Sequence, residues 1–399
     1  MRCSVVGRRA ARRVLELAAL ATMVLMLVGC GRAEEVVIPA EPAERGGTDV
    51  GLGPSVRPLT AGPGDKGSPR WSPSGVRISF IMDGYVVEKP TDASYLRHRT
   101  TRDFGAQEIE WASGDSLAIL SADLSKRDGT SSAIYRTRQG DEILSVDEVS
   151  TSVLAMSPLP DGGLLIAGEE GASASALATT DDSGQVSRTY PSLVQGKVSG
   201  LSVSPDGDRA VLAMRAEGSG RFAILGFDLS DGTSWRIADL PRDEEVFGAP
   251  QWTEHGVFYV AGEEKAAQSE DAAPYYMYRL PLDSGTPGPA PGVGEDFVAS
   301  SLRASPDGER LAIVGRRNLN SPTDLYVLDL KTDVLEAVTA NENMEIKTSP
   351  PDLSWSADGG HIAIVARGIL SGSRVYQVRA GALLADFYNV YDVPVGDSG

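Results

Sequence analysis

Apolar and polar positions along this chain follow a unit that returns every 40 to 52 residues. Each unit has an anchor residue at the end of a strand-like stretch, a polar Ser-Pro-Asp-Gly-like turn, and then a run of apolar residues. In the clearest copy the turn 305–308 is followed by the apolar run 311–314. Such a run fits a strand covered on both faces. The seven anchors are Trp71, Trp111, Met156, Val203, Trp252, Ala304 and Trp355.

Repeats of this length, with room for four short strands each, predict an all-β chain folded as a β-propeller. Seven anchors favour seven four-stranded blades, with six or eight as the alternatives. In the other units the fourth strand lies shortly before the anchor of the next unit. The segment 57–60 has the same position relative to the first anchor, so we expect it to be the fourth strand of the last blade. The segment 387–391 is the competing candidate for that fourth strand.

The N-terminal region has the pattern of a bacterial lipoprotein signal. Five arginines precede an apolar stretch over 17–29, which is shorter than the ~20 residues a membrane-spanning helix needs. The stretch ends in Leu-Val-Gly followed by Cys30, so we predict a signal peptide over 1–29 and lipid attachment at Cys30. An ordinary signal peptide with a chance cysteine is the alternative. Export by the general or the twin-arginine route is left open.

The remaining chain divides by composition. Residues 30–56 are rich in Gly, Pro, Ala and Glu and lack apolar periodicity, which predicts a flexible linker after the lipidated cysteine. Residues 57–399 hold the repeats and are assigned to the propeller. We therefore expect a protein anchored by lipid in the cell membrane and facing its extracytoplasmic side, with the bilayer itself as one partner.

Charge excludes one class of partner. The formal net charge is −18 at pH 7, which argues against nucleic-acid binding and against electrostatic adhesion to anionic lipid, since both need a basic surface. Cys3 leaves with the predicted signal peptide, so Cys30 is the one cysteine expected in the mature chain. No disulfide is expected to support the fold.

The repeated Trp-Ser-Pro-Asp-Gly-like turn followed by an apolar strand resembles the TolB-type, WD-repeat-like propellers of bacterial envelope proteins. The resemblance covers roughly 57–395 and is specific for the fold rather than for an activity. It implies an extracytoplasmic propeller that binds proteins. The chain departs from TolB in having no counterpart of its N-terminal α/β domain, so no partner of that protein is carried over.

Sequence motifs give little support for catalysis. The nucleophile-elbow, phosphate-loop and zinc-protease patterns are missing from the sequence. The three histidines, His98, His255 and His361, fall at unrelated points of the repeat, and a shared metal site is not expected. These observations predict a protein that is not an enzyme and has no cofactor and no metal.

Long, charged connections between the second and third predicted strands of each unit suggest a binding surface. Variable loops concentrated on one face of a rigid scaffold commonly form such surfaces. The predicted function is therefore an envelope scaffold that binds a membrane or envelope protein of unknown identity. The candidate binding face consists of Lys126, Arg127, Glu263, Glu264, Lys265, Glu270, Asp271, Arg316 and Arg317.

The central channel of the propeller offers the alternative. Propellers can hold a site where the first strands converge, and the residues just before the anchors would line it. The alternative function is an enzyme of lyase or cyclase type at the channel mouth, or a receptor for a small ligand or glycan. A purely structural envelope component is a third reading. The candidate channel residues are Arg70, Glu110, Gln251, Arg303 and Ser354.

Overall fold

The computed structural model divides the chain into two units, Met1–Glu34 and Glu35–Gly399. All of the described residues belong to the second unit. Among them, no helix has the length and apolar character that crossing a bilayer requires. The predicted signal peptide and Cys30 lie outside the described residues. The structure describes 38–39, 52, 55–60, 64–101, 104–112, 116–122, 132–137, 143–145, 152–170, 174–263, 275–282, 286–342, 344–348, 353–368 and 389–395.

These residues form thirty β-strands and no α-helix, as the all-β prediction requires. The strands of the first half are β1 (Ile38–Pro39), β2 (Arg57–Pro58), β3 (Lys66–Trp71), β4 (Arg77–Met82), β5 (Tyr85–Pro90), β6 (Tyr95–His98), β7 (Ala106–Trp111), β8 (Leu117–Ala122), β9 (Ser132–Thr137), β10 (Ile143–Ser145), β11 (Val153–Pro158), β12 (Leu164–Glu170), β13 (Ala174–Thr180), β14 (Val186–Val194) and β15 (Gly196–Val203). Those of the second half are β16 (Arg209–Ala216), β17 (Phe222–Asp228), β18 (Ser234–Asp239), β19 (Glu244–Thr253), β20 (Gly256–Glu263), β21 (Tyr276–Leu280), β22 (Gly288–Pro289), β23 (Val298–Ala304), β24 (Arg310–Arg316), β25 (Asp324–Asp329), β26 (Val334–Ala337), β27 (Met344–Ile346), β28 (Leu353–Trp355), β29 (His361–Gly368) and β30 (Asn389–Pro394).

The strands pair into seven antiparallel sheets, which are the blades of a seven-bladed propeller, so the prediction of seven blades is confirmed. In five of them four strands follow chain order, and the first blade carries β1 as an additional edge strand on β6. The first strands of the blades are β3, β7, β11, β15, β19, β23 and β28. In the last blade the first strand is in two pieces, because β27 and β28 both pair with β29.

The repeated polar turn is a hydrogen-bonded unit between the first and second strands. Ser305 Oγ accepts a hydrogen bond from the backbone N–H of Arg310 at 3.0 Å and donates to Asp307 Oδ1 at 2.5 Å. Gly308 has a φ of 71°, which a residue with a Cβ adopts only at a cost. The same pattern at Ser204 and at Ser356 explains why the motif recurs in the sequence.

Apolar residues pack between the blades rather than in one central core. Each of the seven buried clusters joins two neighbouring blades, and the second strands supply the most buried residues. Leu311, Ala312 and Ile313 are 0% exposed, which confirms that the second strand is covered on both faces. Burying a Leu or Ile side chain contributes roughly 1.5–3 kcal/mol, so these interfaces supply most of the stabilisation that holds the ring.

The ring closes through the N-terminal strand. β2 pairs with β30, with Arg57 opposite Asp392, and becomes the outer strand of the last blade. The competing segment, 387–391, overlaps β30, which is the third strand of that blade rather than the fourth. A buried cluster containing Trp71 and Val390 then joins the last blade to the first.

Two pieces of the predicted linker contact the propeller. β1 pairs with β6 in the first blade, and the end of the linker packs on the last blade through the buried side chains of Leu52 and Val56. The carbonyl of Leu52 accepts a hydrogen bond from the backbone N–H of Ala340. The rest of 30–51 lies outside the described residues, and its flexibility stays a prediction.

Candidate functional site

The first strands surround a central cavity of about 830 Å³. Inner strands supply most of its lining, and the turns between first and second strands extend it to one face of the propeller. Six of the seven first strands carry a register shift close to the anchor, as between Ala106 and Glu108 or between Ala299 and Ser301. A bulge of this kind redirects the side chains that follow it. The turn prolines that line the cavity are Pro73, Pro160, Pro205 and Pro306.

Three of the predicted channel residues form a charged cluster in the centre of the ring. Glu110, on β7 of the second blade, receives hydrogen bonds from Arg303 Nη2 at 2.9 Å to Oε1 and 3.0 Å to Oε2. Arg70, on β3 of the first blade, places its Nε 2.8 Å from Glu110 Oε1. Arg303 is on β23 of the sixth blade, so this contact joins blades that are not neighbours. The cluster therefore occupies one side of the channel.

Burial and charge act in opposite directions on this cluster. Burial lowers the pKa of the Arg70 guanidinium, while the Glu110 carboxylate opposes that effect. Burial would raise the pKa of Glu110, but the guanidiniums of Arg303 and Arg70 outweigh it and lower that pKa. Glu110 is therefore ionised, and one carboxylate neutralises only one of the two arginines beside it.

Glu108 stands next to this cluster and behaves differently. Burial, together with the negative charge of Glu110, raises the pKa of the Glu108 carboxyl to about 7, although Arg70 and Arg303 oppose the shift. Its side chain lines the cavity, and its carboxyl group has no hydrogen bond to any residue that the structure describes. A carboxyl that exchanges its proton near neutral pH can donate or accept one in this cavity.

The other two predicted channel residues support the neighbouring blade. Gln251 Oε1 accepts a hydrogen bond from the backbone N–H of Ala304 at 3.2 Å, and Ser354 Oγ accepts one from the backbone N–H of Trp71 at 3.2 Å. Gln251 also lines the cavity, whereas Ser354 is buried outside its lining. Their side-chain acceptors are thus already used for structure.

The opposite wall of the cavity combines many small residues with larger apolar ones such as Met156 and Leu201, and the small residues leave room for a ligand. It carries no charge in the part of the chain that the structure describes, since the charged lining residues are Glu108, Glu110 and Arg303. The small lining residues of this wall include Ser157, Ser199, Gly200, Ser202, Gly248 and Ala249.

Most of the predicted binding face cannot be placed. Lys126, Arg127, Glu264, Lys265, Glu270 and Asp271 lie outside the described residues. Glu263 is exposed at the end of β20, and Arg316 and Arg317 follow one another at the end of β24, where Arg317 is exposed. Their role in binding stays a prediction.

Glu108 is the residue that sequence reasoning missed. The channel prediction took only the position directly before each anchor, and Glu108 lies two residues earlier on the same strand. The Glu-Ile-Glu alternation was visible in the sequence and is the signal that could have found it. Within the described residues, no group of three or more His, Cys, Asp or Glu side chains is arranged to hold a metal ion.

No protein-family model matches this chain, and no curated protein matches it by sequence. Solved structures do. Oligogalacturonate lyase from Vibrio parahaemolyticus matches with a TM-score of 0.55 at 10% identity, covering 86% of this chain and 94% of its own. The propeller domain of the trilobed protease from Pyrococcus furiosus matches with a TM-score of 0.55 at 11% identity, covering 84% and 96%. At these identities the likeness establishes the propeller fold alone.

A TolB protein from Agrobacterium tumefaciens also matches, with 14% identity, 84% coverage of this chain and 91% of its own. Its TM-score is 0.41, which is too low to support a conclusion. The sheet topology, and not this match, shows the propeller architecture that the TolB resemblance implied, and membership of that family stays a prediction.

The prediction that the protein is not an enzyme is contradicted by these comparisons. Oligogalacturonate lyase has a matching propeller over nearly its whole length, and its name describes an enzyme. The motifs whose absence supported the prediction belong to other folds, so their absence does not exclude catalysis on a propeller. The likeness assigns no activity to this chain.

Proposed function

We propose that this protein is a membrane-tethered, extracytoplasmic β-propeller that binds a small polar ligand in its central cavity. The observation that carries the proposal is the uneven cavity wall. Glu108, Glu110 and Arg303 line one side, and small, uncharged residues leave open space on the other. Ligand sites in proteins commonly combine such a volume with a few converging polar groups.

The cavity is suited to a ligand of modest size. A volume of about 830 Å³ lies within the roughly 300–1,000 Å³ range of small-molecule sites. Oligogalacturonate lyase, by its name, acts on a polar carbohydrate, which supports the idea that a propeller of this shape handles polar ligands. Within this cavity Glu108 is the group that would exchange a proton with a bound ligand, because its pKa is raised to about 7.

The test is a ligand screen by thermal shift on the full-length protein, using neutral sugars, organic acids and amino acids. Binding to the folded state raises the melting temperature. Ser199→Trp should fill the open side of the cavity and abolish the shift caused by any hit. Ser234→Trp, on the exposed outer strand β18 of the same blade, is the matched control and should retain the shift. Equal loss in both variants, or loss in neither, would contradict a site in the cavity.

The membrane tether is a separate part of the proposal and rests on the Leu-Val-Gly sequence that precedes Cys30 at the end of the predicted signal peptide. Cys30→Ser should move the protein from the membrane fraction to the soluble fraction and remove labelling by a fatty-acid analogue. Cys3→Ser is the control, because that residue lies within the predicted signal peptide, and it should leave both properties unchanged. Membrane retention of the Cys30 variant would refute lipid anchoring.

Protein binding by the loop face is the second candidate. One observation favours it: Arg317 and Leu319, the latter 53% exposed, form a cationic and apolar tip at the β24–β25 connection of a strongly acidic protein. A partner that crosslinks to this tip and is lost in Arg316→Ser/Arg317→Ser would support it. A partner retained by that double variant would contradict this face.

A further inference from the structure

We infer that the ligand of the central cavity carries a single carboxylate, which docks against Arg303 beside Glu108. The inference rests on the proposed function and names the class of ligand that this wall accepts. It is carried by the unused donors of Arg303, by the position of Glu108 and by the charge of the cavity wall.

Arg303 has donors left over after it binds Glu110. A guanidinium carries five N–H groups, and both hydrogen bonds from Arg303 to Glu110 come from Nη2. Within the described residues, Nε and Nη1 have no hydrogen-bond acceptor. The side chain is 27% exposed and lines the cavity. A guanidinium held by Glu110 and facing an open cavity is a prepared binding group for an anion.

Glu108 decides the charge of this wall. The charged groups that face it are Glu110, Arg70 and Arg303, and they come from three blades. With Glu108 ionised, two carboxylates balance two guanidiniums and the cluster is neutral. With Glu108 protonated, the cluster carries one excess positive charge, and the Glu108 hydroxyl becomes a hydrogen-bond donor.

A monoanion completes this arrangement. A net positive charge on a cluster that lines a cavity is costly, and a dianion such as a phosphate monoester would replace it with a net negative charge. One carboxylate, in contrast, leaves the site neutral, accepting hydrogen bonds from Arg303 and from protonated Glu108. The raised pKa of Glu108, about 7, agrees with a wall that takes up a proton when the ligand binds.

Matched pairs of probes test the inference. Glucuronate and glucose differ at the carboxylate of a sugar, and an N-acetyl tripeptide of uncharged residues and its C-terminal amide differ at the carboxylate of a peptide. Each is titrated into the full-length protein by calorimetry between pH 5.5 and 8.5. We expect the carboxylate member of one pair to bind at least tenfold tighter than its neutral partner. Which pair responds identifies the source of the carboxylate.

The pH dependence and two variants identify the groups. Above pH 7, binding coupled to uptake of one proton should weaken by about tenfold for each pH unit. Glu108→Gln cannot ionise, so it should bind the carboxylate and lose this dependence. Arg303→Gln should lose the preference for the charged member. Cooperative melting transitions of both variants at pH 5.5 would show that they are folded.

Two results would overturn the inference. In the first, neither carboxylate probe binds at millimolar concentration to wild-type protein. In the second, charged and neutral partners bind equally. Either outcome leaves the proposed function standing when a neutral ligand from the screen binds and is lost in Ser199→Trp. If that screen also yields no cavity ligand, the proposed function fails together with the inference.

Discussion

Arg303 Nη2 donates to both carboxylate oxygens of Glu110, at 2.9 and 3.0 Å, although the two residues belong to the sixth and second blades. Two other blades separate them around the ring, so the contact joins first strands that are not adjacent. The backbone at Arg303 is held as well, because its carbonyl accepts a hydrogen bond from Trp355 Nε1 at 3.0 Å. Strand β23 is therefore held at Arg303 by residues of two other blades, Glu110 and Trp355.

Removal of the Glu110 carboxylate should destabilise the ring. Glu110→Gln leaves the buried guanidinium of Arg70 without its counter-ion, and breaking a buried pair in this way costs about 3–5 kcal/mol. Urea unfolding should show the loss, and Arg70→Met/Glu110→Leu should recover part of it. A double variant as unstable as the single one would argue against an unpaired charge as the cause.

Glu108 should make stability depend on pH. Its pKa is raised from 4.5 to about 7 in the folded state, so the folded protein holds a proton that the unfolded chain has released in that interval. Stability from this group is present below pH 4.5 and is lost as pH rises toward 7. Glu108→Gln should raise the free energy of unfolding at pH 8 by about 1–3 kcal/mol, since one pKa unit is worth 1.36 kcal/mol.

The same comparison at pH 4.5 supplies the control, because both residues are then largely neutral in the folded state. The two proteins should have nearly equal stability there when measured by urea unfolding. An effect of equal size at both pH values would assign the change to packing rather than to ionisation.

Asp392 should be the main polar contact of ring closure. It is buried, accepts a hydrogen bond from Arg57 on β2, and lies 2.8 Å from His361 Nδ1. Asp392→Ala should lower the free energy of unfolding by about 2–3 kcal/mol, because it removes both contacts from a buried position. Thermal unfolding measures the effect.

Arg57→Ala provides the contrast for this prediction. The Arg57 side chain is 69% exposed, so solvent screens its ion pair and its removal should cost less than about 1 kcal/mol. A larger cost for Arg57→Ala than for Asp392→Ala would place the closing contribution on the arginine instead.

The turn serines should contribute similar increments in each blade. Ser204 Oγ accepts a hydrogen bond from the backbone N–H of Arg209 at 2.9 Å and donates to Asp206. Ser204→Ala and Ser305→Ala should each cost about 1 kcal/mol in chemical unfolding, the net worth of a typical hydrogen bond. Ser234→Ala, at an exposed position of β18, should change stability by less than half as much. Equal effects at all three positions would contradict a specific role for the turn.

The propeller could be predicted because its information is local and repeated. The turn and the apolar strand follow from short-range chemistry. Asp307 and Gly308 favour the turn, and the uninterrupted apolar run 311–314 indicates a strand that is buried on both faces. Seven copies of one weak signal fix the architecture. The closing role of 57–60 was accessible in the same way, from its spacing to the first anchor.

The candidate site was only partly accessible. Spacing placed Arg70, Glu110 and Arg303 near the channel, but it could not show that Glu110 binds both arginines from two other blades. Nor could it show that the side chains of Gln251 and Ser354 accept hydrogen bonds from the backbones of neighbouring blades. Glu108 was missed because its importance comes from burial beside another carboxylate, which no local pattern records.

By itself, the sequence determined that this chain is a β-propeller, favoured seven blades and indicated 57–60 as the closing strand, because turns and two-faced apolar strands are set by neighbours along the chain. The pairing of the strands in the structure decided the blade number and the closure. Only the tertiary structure decided the chemistry of the channel. Curvature of the ring brings residues such as Glu110 and Arg303, 193 positions apart, into contact, and burial there changes which of their neighbours are charged. The interaction energy of two charges depends on their separation in space, and the repeat pattern does not specify that separation for residues far apart in the sequence.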